Sequence, residues 1–167
     1  DRASPVLELM SRAEEAGFTV EQVKQPGDGD WPSAVLEAMS RKGAAPLSLV
    51  SISSVHWSDG GALDLSQISE VARQAGAAFL VDATHDAGVR RIDVKTLAPD
   101  FLIFPTYKWV LGPYGRAFMY VAKRRQNGVQ YFFDAAMKRL ELRAALKPLA
   151  DLERLVNRVL AGYAQPR

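Results

Sequence analysis

Three short apolar runs, Leu47 to Val55, Phe79 to Val81 and Phe101 to Phe104, each end at a polar residue or a proline and are separated by stretches long enough for a helix. Parallel strands cannot be joined by a tight turn, so this alternation predicts an α/β fold with a mostly parallel sheet and crossover helices. The first run is apolar with interleaved serines, as a strand buried in such a sheet would be.

The flanking segments supply the helices. Ser4-Pro5 followed by Val6, Leu7, Leu9, Met10 and Ala13 has N-cap chemistry and helical spacing, and Gly17 supplies the stop. Phe18, Val20 and Val23 predict a short strand, and Pro26 to Asp30 a loop. Pro32 opens a second helix that ends near Gly43, and Asp64 to Gly76 reads as a third, with Leu65, Ile68, Val71 and Ala72 on its inner face. Arg116 to Ala122 is the last clear strand. Beyond Gly128 the pattern is helical only, over Phe132 to Leu146 and Pro148 to Leu160. An α/β part over residues 1–127 and a helical C-terminal segment over 128–167 are therefore expected.

Composition narrows the function classes. A chain of 167 residues that is 48% hydrophobic can bury one sizeable core. Its net charge of +2 is nearly balanced, and the Lys123-Arg124-Arg125 run reads as a solvated strand exit, so neither a nucleic-acid nor a membrane partner is expected. No apolar stretch approaches the roughly 20 residues that cross a bilayer. The chain has no cysteine, which excludes thiolate chemistry within it and is compatible with a cytoplasmic protein. Two histidines without metal-ligand spacing argue against a metal site. The sequence begins without methionine, and a piece of a longer polypeptide is the expectation.

In open α/β sheets ligands bind at the carboxyl ends of the strands, and three strand exits here carry polar groups. Asp82 ends an apolar strand, so its carboxylate reaches a partly desolvated place that a cation or several donors must meet. A protonated pyridine nitrogen is such a cation; capping the next turn is the plainer role. His85 follows on the same loop and can address the same ring. Lys108 lies among aromatic residues before the turn Gly112-Pro113-Tyr114-Gly115. Desolvation favours a neutral amine, which is the form that attacks an aldehyde. Tyr107 can give its hydroxyl to a phosphate or pack in the core. At the first exit, His56 and Trp57 stand where an indole can lie against a ring face or plug the domain surface. No Gly-x-Gly-x-x-Gly follows a strand and no Walker-type motif is present, so a nicotinamide or nucleoside-triphosphate site lacks its usual phosphate cradle.

Taken together, these segments resemble the class V aminotransferase family of fold-type I pyridoxal-phosphate enzymes. The resemblance runs from about Ser33 to Ala122. Its specific parts are residues 55–60 (Val-His-Trp-Ser-Asp-Gly), 81–88 (Val-Asp-Ala-Thr-His-Asp-Ala-Gly), Asp100-Phe101 and 107–115 (Tyr-Lys-Trp-Val-Leu-Gly-Pro-Tyr-Gly). It implies pyridoxal 5'-phosphate as cofactor, an amino-acid substrate, Lys108 as the Schiff-base lysine and proton shuttle, and Asp82 as the partner of the pyridinium nitrogen. It further places His85 near the cofactor's phenolic oxygen, Tyr107 on its phosphate and Trp57 at the ring or substrate pocket, and it implies a homodimer in the full-length protein.

Desulfurases of that family carry serine and histidine where this chain has Pro105 and Tyr107, and they need a cysteine to receive sulfur. An epimerase-like, kynureninase-like or plain aminotransferase-like reaction on an amino-acid substrate is therefore the expectation, in the kynureninase or isopenicillin N epimerase-like branch. The family's amino-terminal phosphate-cradling segment and its carboxy-terminal small domain are expected outside this stretch. A second reading is an α/β domain that keeps the fold without activity, and it predicts apolar surface where further parts would have packed.

Overall fold

A computed structural model describes residues 4–141 and 144, which fall into two units. One spans Phe18–Arg125 and carries the sheet; the other groups the residues up to Gly17 with those from Gln126 onward. In the second unit, helix α1 covers Ser4–Ala16 and stops at Gly17, whose φ of 70° is a left-handed conformation that favours glycine.

The first unit is α/β. Helix α2 (Trp31–Ser40) begins where Asp30 accepts the Ser33 N–H at 3.2 Å and Pro32 sits in the first turn, where its missing N–H costs nothing. Strand β1 (Leu49–Ser53) follows, then helix α3 (Leu65–Gln74), capped by Asp64 through the Ser66 N–H at 2.9 Å. Strand β2 (Ala78–Asp82), the short helix α4 (Val94–Leu97), strand β3 (Phe101–Pro105) and strand β4 (Ala117–Val121) complete it. The sheet runs in the order β1-β2-β3-β4, with the first two pairings parallel and β3-β4 antiparallel. The expected mostly parallel α/β sheet is thus the observed one.

Alternation along the strands sets the core. Val50, Phe79, Val81 and Leu102 are buried neighbours on one face of the sheet, where Leu65, Ile68 and Ala72 of α3 and Val35 of α2 join the same cluster. Ser53 pairs with Asp82 and Asp82 with Ile103, so Asp82 projects from the opposite face at the carboxyl end of a central strand. Edge strand β4 leaves Phe118 and Met119 each 60% exposed.

Two segments differ from the sequence-based expectation. Residues 18–26 form no strand, although Val23 still packs against the core. The last helix starts earlier than Phe132: a 3-10 turn at Lys123–Arg125 leads into α5 (Gln126–Asp134), the helix breaks at Ala135, and residues 136–141 are helical again. The expected helix from Pro148 to Leu160 lies outside the described residues. No described helix is long and apolar enough to cross a membrane.

The early helix start has a local cause. Buried Asp100 accepts from the Phe79 N–H at 2.9 Å, Arg124 Nε at 2.9 Å and Arg125 Nε at 2.6 Å, while Arg124 Nη2 donates to the Ala98 carbonyl. The basic run is therefore tied to the sheet by two of its three cations. Burial pushes the Asp100 carboxyl up, but the two guanidiniums and the Phe79 N–H outweigh it and hold it below its ordinary value. A depressed carboxyl contributes stability that is present above the unfolded-state value of about 3.9 and is lost as pH falls through the lower folded value. Asp100→Asn should cost about 1–2 kcal/mol at pH 7, less than a fully buried pair because both guanidiniums stay half in water. Urea midpoints of wild type and variant should converge as pH drops below about 4; a gap independent of pH would contradict this account.

Candidate functional site

The carboxyl ends of β1, β2 and β3 are stitched together beyond the strands themselves. Ser54 N–H donates to the Asp82 carbonyl at 3.0 Å, and Ala83 N–H to the Ile103 carbonyl at 2.8 Å. The three exits therefore leave the sheet side by side.

At the β2 exit, Thr84 directs its backbone N–H (2.9 Å) and its hydroxyl (2.5 Å) at the same oxygen of Asp82, Oδ1. Among the described residues nothing donates to Oδ2. The chain then turns over residues 84–89, locked by Asp86, which is buried and accepts Arg90 Nε at 2.6 Å and Nη2 at 2.7 Å. Asp82 is thus a turn-capping carboxylate and also one with an oxygen to spare, so the two roles weighed from sequence coexist.

Gly88, at φ 93°, joins this loop to the lysine-bearing loop. A Cβ placed on it would lie 2.7 Å from the Trp109 carbonyl oxygen, 2.8 Å from its carbon and 3.0 Å from Val110 N. No side chain fits there, and the backbone following Asp82 rests directly on the backbone following Lys108.

His85 registers the result electrostatically. Burial first, and then the Lys108 ammonium, push its imidazole below the ordinary value, while the Asp82 carboxylate pulls partly the other way. At neutral pH the ring is neutral, one nitrogen donating and the other accepting. Asp82 and Lys108, which the sequence placed at two separate exits, thus both lie near enough to His85 for their charges to act on its ring. Lys108 Nζ in turn lies 5.5 Å from the centroid of the Tyr107 ring.

Trp57 is placed differently. It is 63% exposed, and its ring contact is His56, at 6.4 Å between centroids. The ordered group at the β1 exit is His56. Its Nδ1 is 3.1 Å from Asp59 Oδ1 and 3.1 Å from Ser58 Oγ, and its ring lies 4.9 Å from that of Trp31. Asp59 also accepts the Gly61 N–H at 2.8 Å, Trp31 Nε1 at 3.2 Å and Gln25 Nε2 at 3.0 Å. The Gly61 and Trp31 donors, with His56, keep its carboxyl below the usual range. Sequence reasoning missed Asp59 and Trp31; the signal was a tryptophan just before the helix-opening Pro32. Among the described residues no cluster of His, Cys, Asp and Glu could hold a metal ion.

This donor set fits a flat, charged heterocycle carrying an aldehyde. It offers an anion with one unused oxygen, an amine on the facing loop and a neutral imidazole within the field of both.

Comparison with known proteins agrees. A family model described as Aminotransferase class-V matches residues 5–136. A cysteine desulfurase IscS from Pseudomonas entomophila (strain L48) is 34% identical over 119 residues, which is 71% of this chain and 28% of that protein. An uncharacterized aminotransferase, YcbU, from Bacillus subtilis (strain 168) is 40% identical over 82 residues, 49% of this chain and 22% of its own length. Among solved structures, the apo structure of a cysteine desulfurase from Thermococcus onnurineus NA1 superposes with a TM-score of 0.61 at 28% identity, over 72% of this chain and 29% of that one. The chain spans less than a third of the length of each of these relatives.

Proposed function

Because this chain belongs to the class V aminotransferase family, we propose that it is the lysine-bearing part of a pyridoxal 5'-phosphate enzyme that acts on an amino acid through Lys108. The observation that supports this reading is the contact at Gly88, which sets the backbone after Asp82 on the backbone after Lys108, with His85 under the influence of both charges.

When bound, pyridoxal 5'-phosphate supplies a protonated aromatic ring that withdraws electrons from the substrate's α-carbon. Each residue then has a definite task. Asp82 would meet the ring nitrogen through Oδ2, to which nothing donates among the described residues, and would keep the proton there by a charge-assisted bond. Lys108 Nζ would hold the cofactor through its aldehyde and would be the group that takes or returns the proton at the substrate's α-carbon. His85, whose imidazole burial and the Lys108 ammonium push toward the neutral form, would hydrogen-bond the ring's oxygen substituent. Tyr107 offers its hydroxyl to the phosphate, and Trp57 walls the substrate side.

Thr106 does not substitute as a phosphate donor. It is buried, and its hydroxyl contacts the carbonyls of Pro113 at 2.6 Å and Arg116 at 3.2 Å. With Pro105 and Tyr107 at the positions where desulfurases carry serine and histidine, this supports the kynureninase or epimerase-like branch over sulfur transfer. Exposed Phe118 and Met119 on β4, and relatives more than twice as long, support a larger enzyme of which this is one segment. A homodimer in the cytoplasm is part of the same reading.

The test is direct. Pyridoxal 5'-phosphate added to the intact protein should produce a visible absorbance band, and borohydride should fix the cofactor to the peptide that contains Lys108. Fixation to a different lysine, or none, would reject the proposal.

A further inference from the structure

Tyr114 is 79% exposed, yet it is not idle: its ring stacks on that of Tyr107 at 4.6 Å between centroids and 13° between planes. An aromatic so exposed fills no core, so a reason for its placement has to be sought in what it touches. Tyr107 is the same ring over which the Lys108 ammonium lies, 5.5 Å from the centroid.

The loop between them is built to bring Tyr114 back. Thr106 N–H donates to the Arg116 carbonyl at 3.0 Å, the Thr106 hydroxyl contacts the Pro113 and Arg116 carbonyls, and Gly112 N–H donates to the Thr106 carbonyl at 2.8 Å. Gly112 is needed for that closure, since a Cβ there would lie 2.7 Å from the Thr106 Cβ. The residue before it, Leu111, takes a left-handed φ of 57°, which a branched side chain adopts only when its surroundings impose it. Four devices thus close one short loop, and what the closure delivers is a second aromatic ring on the first.

We propose that Tyr114 is a positioning residue: by stacking on Tyr107 it fixes the ring that orients the Lys108 amine, so that the amine waits in one conformation for the cofactor's aldehyde. This rests on the reading of Lys108 as the cofactor-holding lysine. The stack immobilises Tyr107, and the ring face then attracts the ammonium and narrows the side chain's rotamers. Capture of the aldehyde gains from the reduced search, as any reaction between pre-oriented groups does.

The experiment uses the intact protein with Tyr114→Ala and Tyr114→Phe, and two readouts. The first is the proton resonance of the Lys108 Cε, assigned through its loss in Lys108→Arg, which a neighbouring aromatic face moves upfield. The second is the rate at which pyridoxal 5'-phosphate is captured and fixed on Lys108. In Tyr114→Ala the resonance should return to the position of ordinary lysines and capture should slow about two- to fivefold, the bias an exposed cation–π contact supplies. Tyr114→Phe keeps the stack and should match wild type in both. A Tyr114→Ala protein with unchanged resonance and unchanged capture rate would overturn the proposal while leaving Lys108 as the cofactor lysine. A wild-type protein that captures no cofactor on Lys108 would overturn both, and an upfield resonance would then mark a structural contact alone.

Discussion

Lys108→Ala in the intact protein is expected to abolish the borohydride-fixed cofactor adduct and to reduce turnover of the amino-acid substrate by at least about 10⁴-fold. Two functions fail at once: no amine remains to hold the aldehyde, and no base of the right reach remains for the α-carbon proton, a transfer that alone is worth about 10² to 10⁴. The fold should survive, because Lys108 is exposed and its ammonium lies over the face of the Tyr107 ring rather than in the core. Unchanged thermal unfolding beside lost activity is the signature. If the variant still carried cofactor bound by borohydride treatment at a neighbouring site, the amine would belong to another residue.

Asp82→Asn is the second large effect, and it should separate binding from chemistry. Asparagine keeps the shape and can still accept from Thr84, so the β2 exit should hold its turn. What disappears is the negative charge that would keep a proton on the bound ring. The adduct on Lys108 should therefore still form, while the step that breaks a bond at the substrate's α-carbon slows about 10²- to 10³-fold, the scale for removing one preorganised charge from a site. KM should change little by comparison, because the lost interaction matters most when charge develops. A variant that turns over normally would remove Asp82 from the ring nitrogen.

The sheet was legible because its signal is short and local. The runs around Val50, Phe79 to Val81 and Phe101 to Phe104 are bounded by polar residues, and the α3 cap is spelled out by Asp64 ahead of an amphipathic stretch. The exits followed from the strands. The segment after Gly17 misled because Phe18, Val20 and Val23 carry strand-like spacing; spacing cannot supply a neighbouring strand, and among the described residues no strand pairs with it. The start of α5 was hidden for a different reason. A basic run reads as solvated, whereas Arg124 and Arg125 are drawn to one buried carboxylate at Asp100, a partner visible only once β3 is in place.

Much the same division applies to the site. Asp82, His85 and Lys108 could be named from residue type and position, since each is a polar group following a buried strand. Their meeting could not, because it depends on Gly88 touching the backbone of Trp109 across two loops. At the β1 exit the fold secures His56, through Asp59 and Trp31. Four donors converging on that one loop carboxylate are invisible in a linear sequence.

The central claim is spatial, and a structure of the intact protein with pyridoxal 5'-phosphate bound tests it most directly. The account predicts the Asp82 carboxylate within hydrogen-bond distance of the ring nitrogen, Lys108 Nζ bonded to the carbon that bore the aldehyde, and His85 beside the ring oxygen. A cofactor seated elsewhere, or one whose ring nitrogen faces a residue other than Asp82, would contradict it.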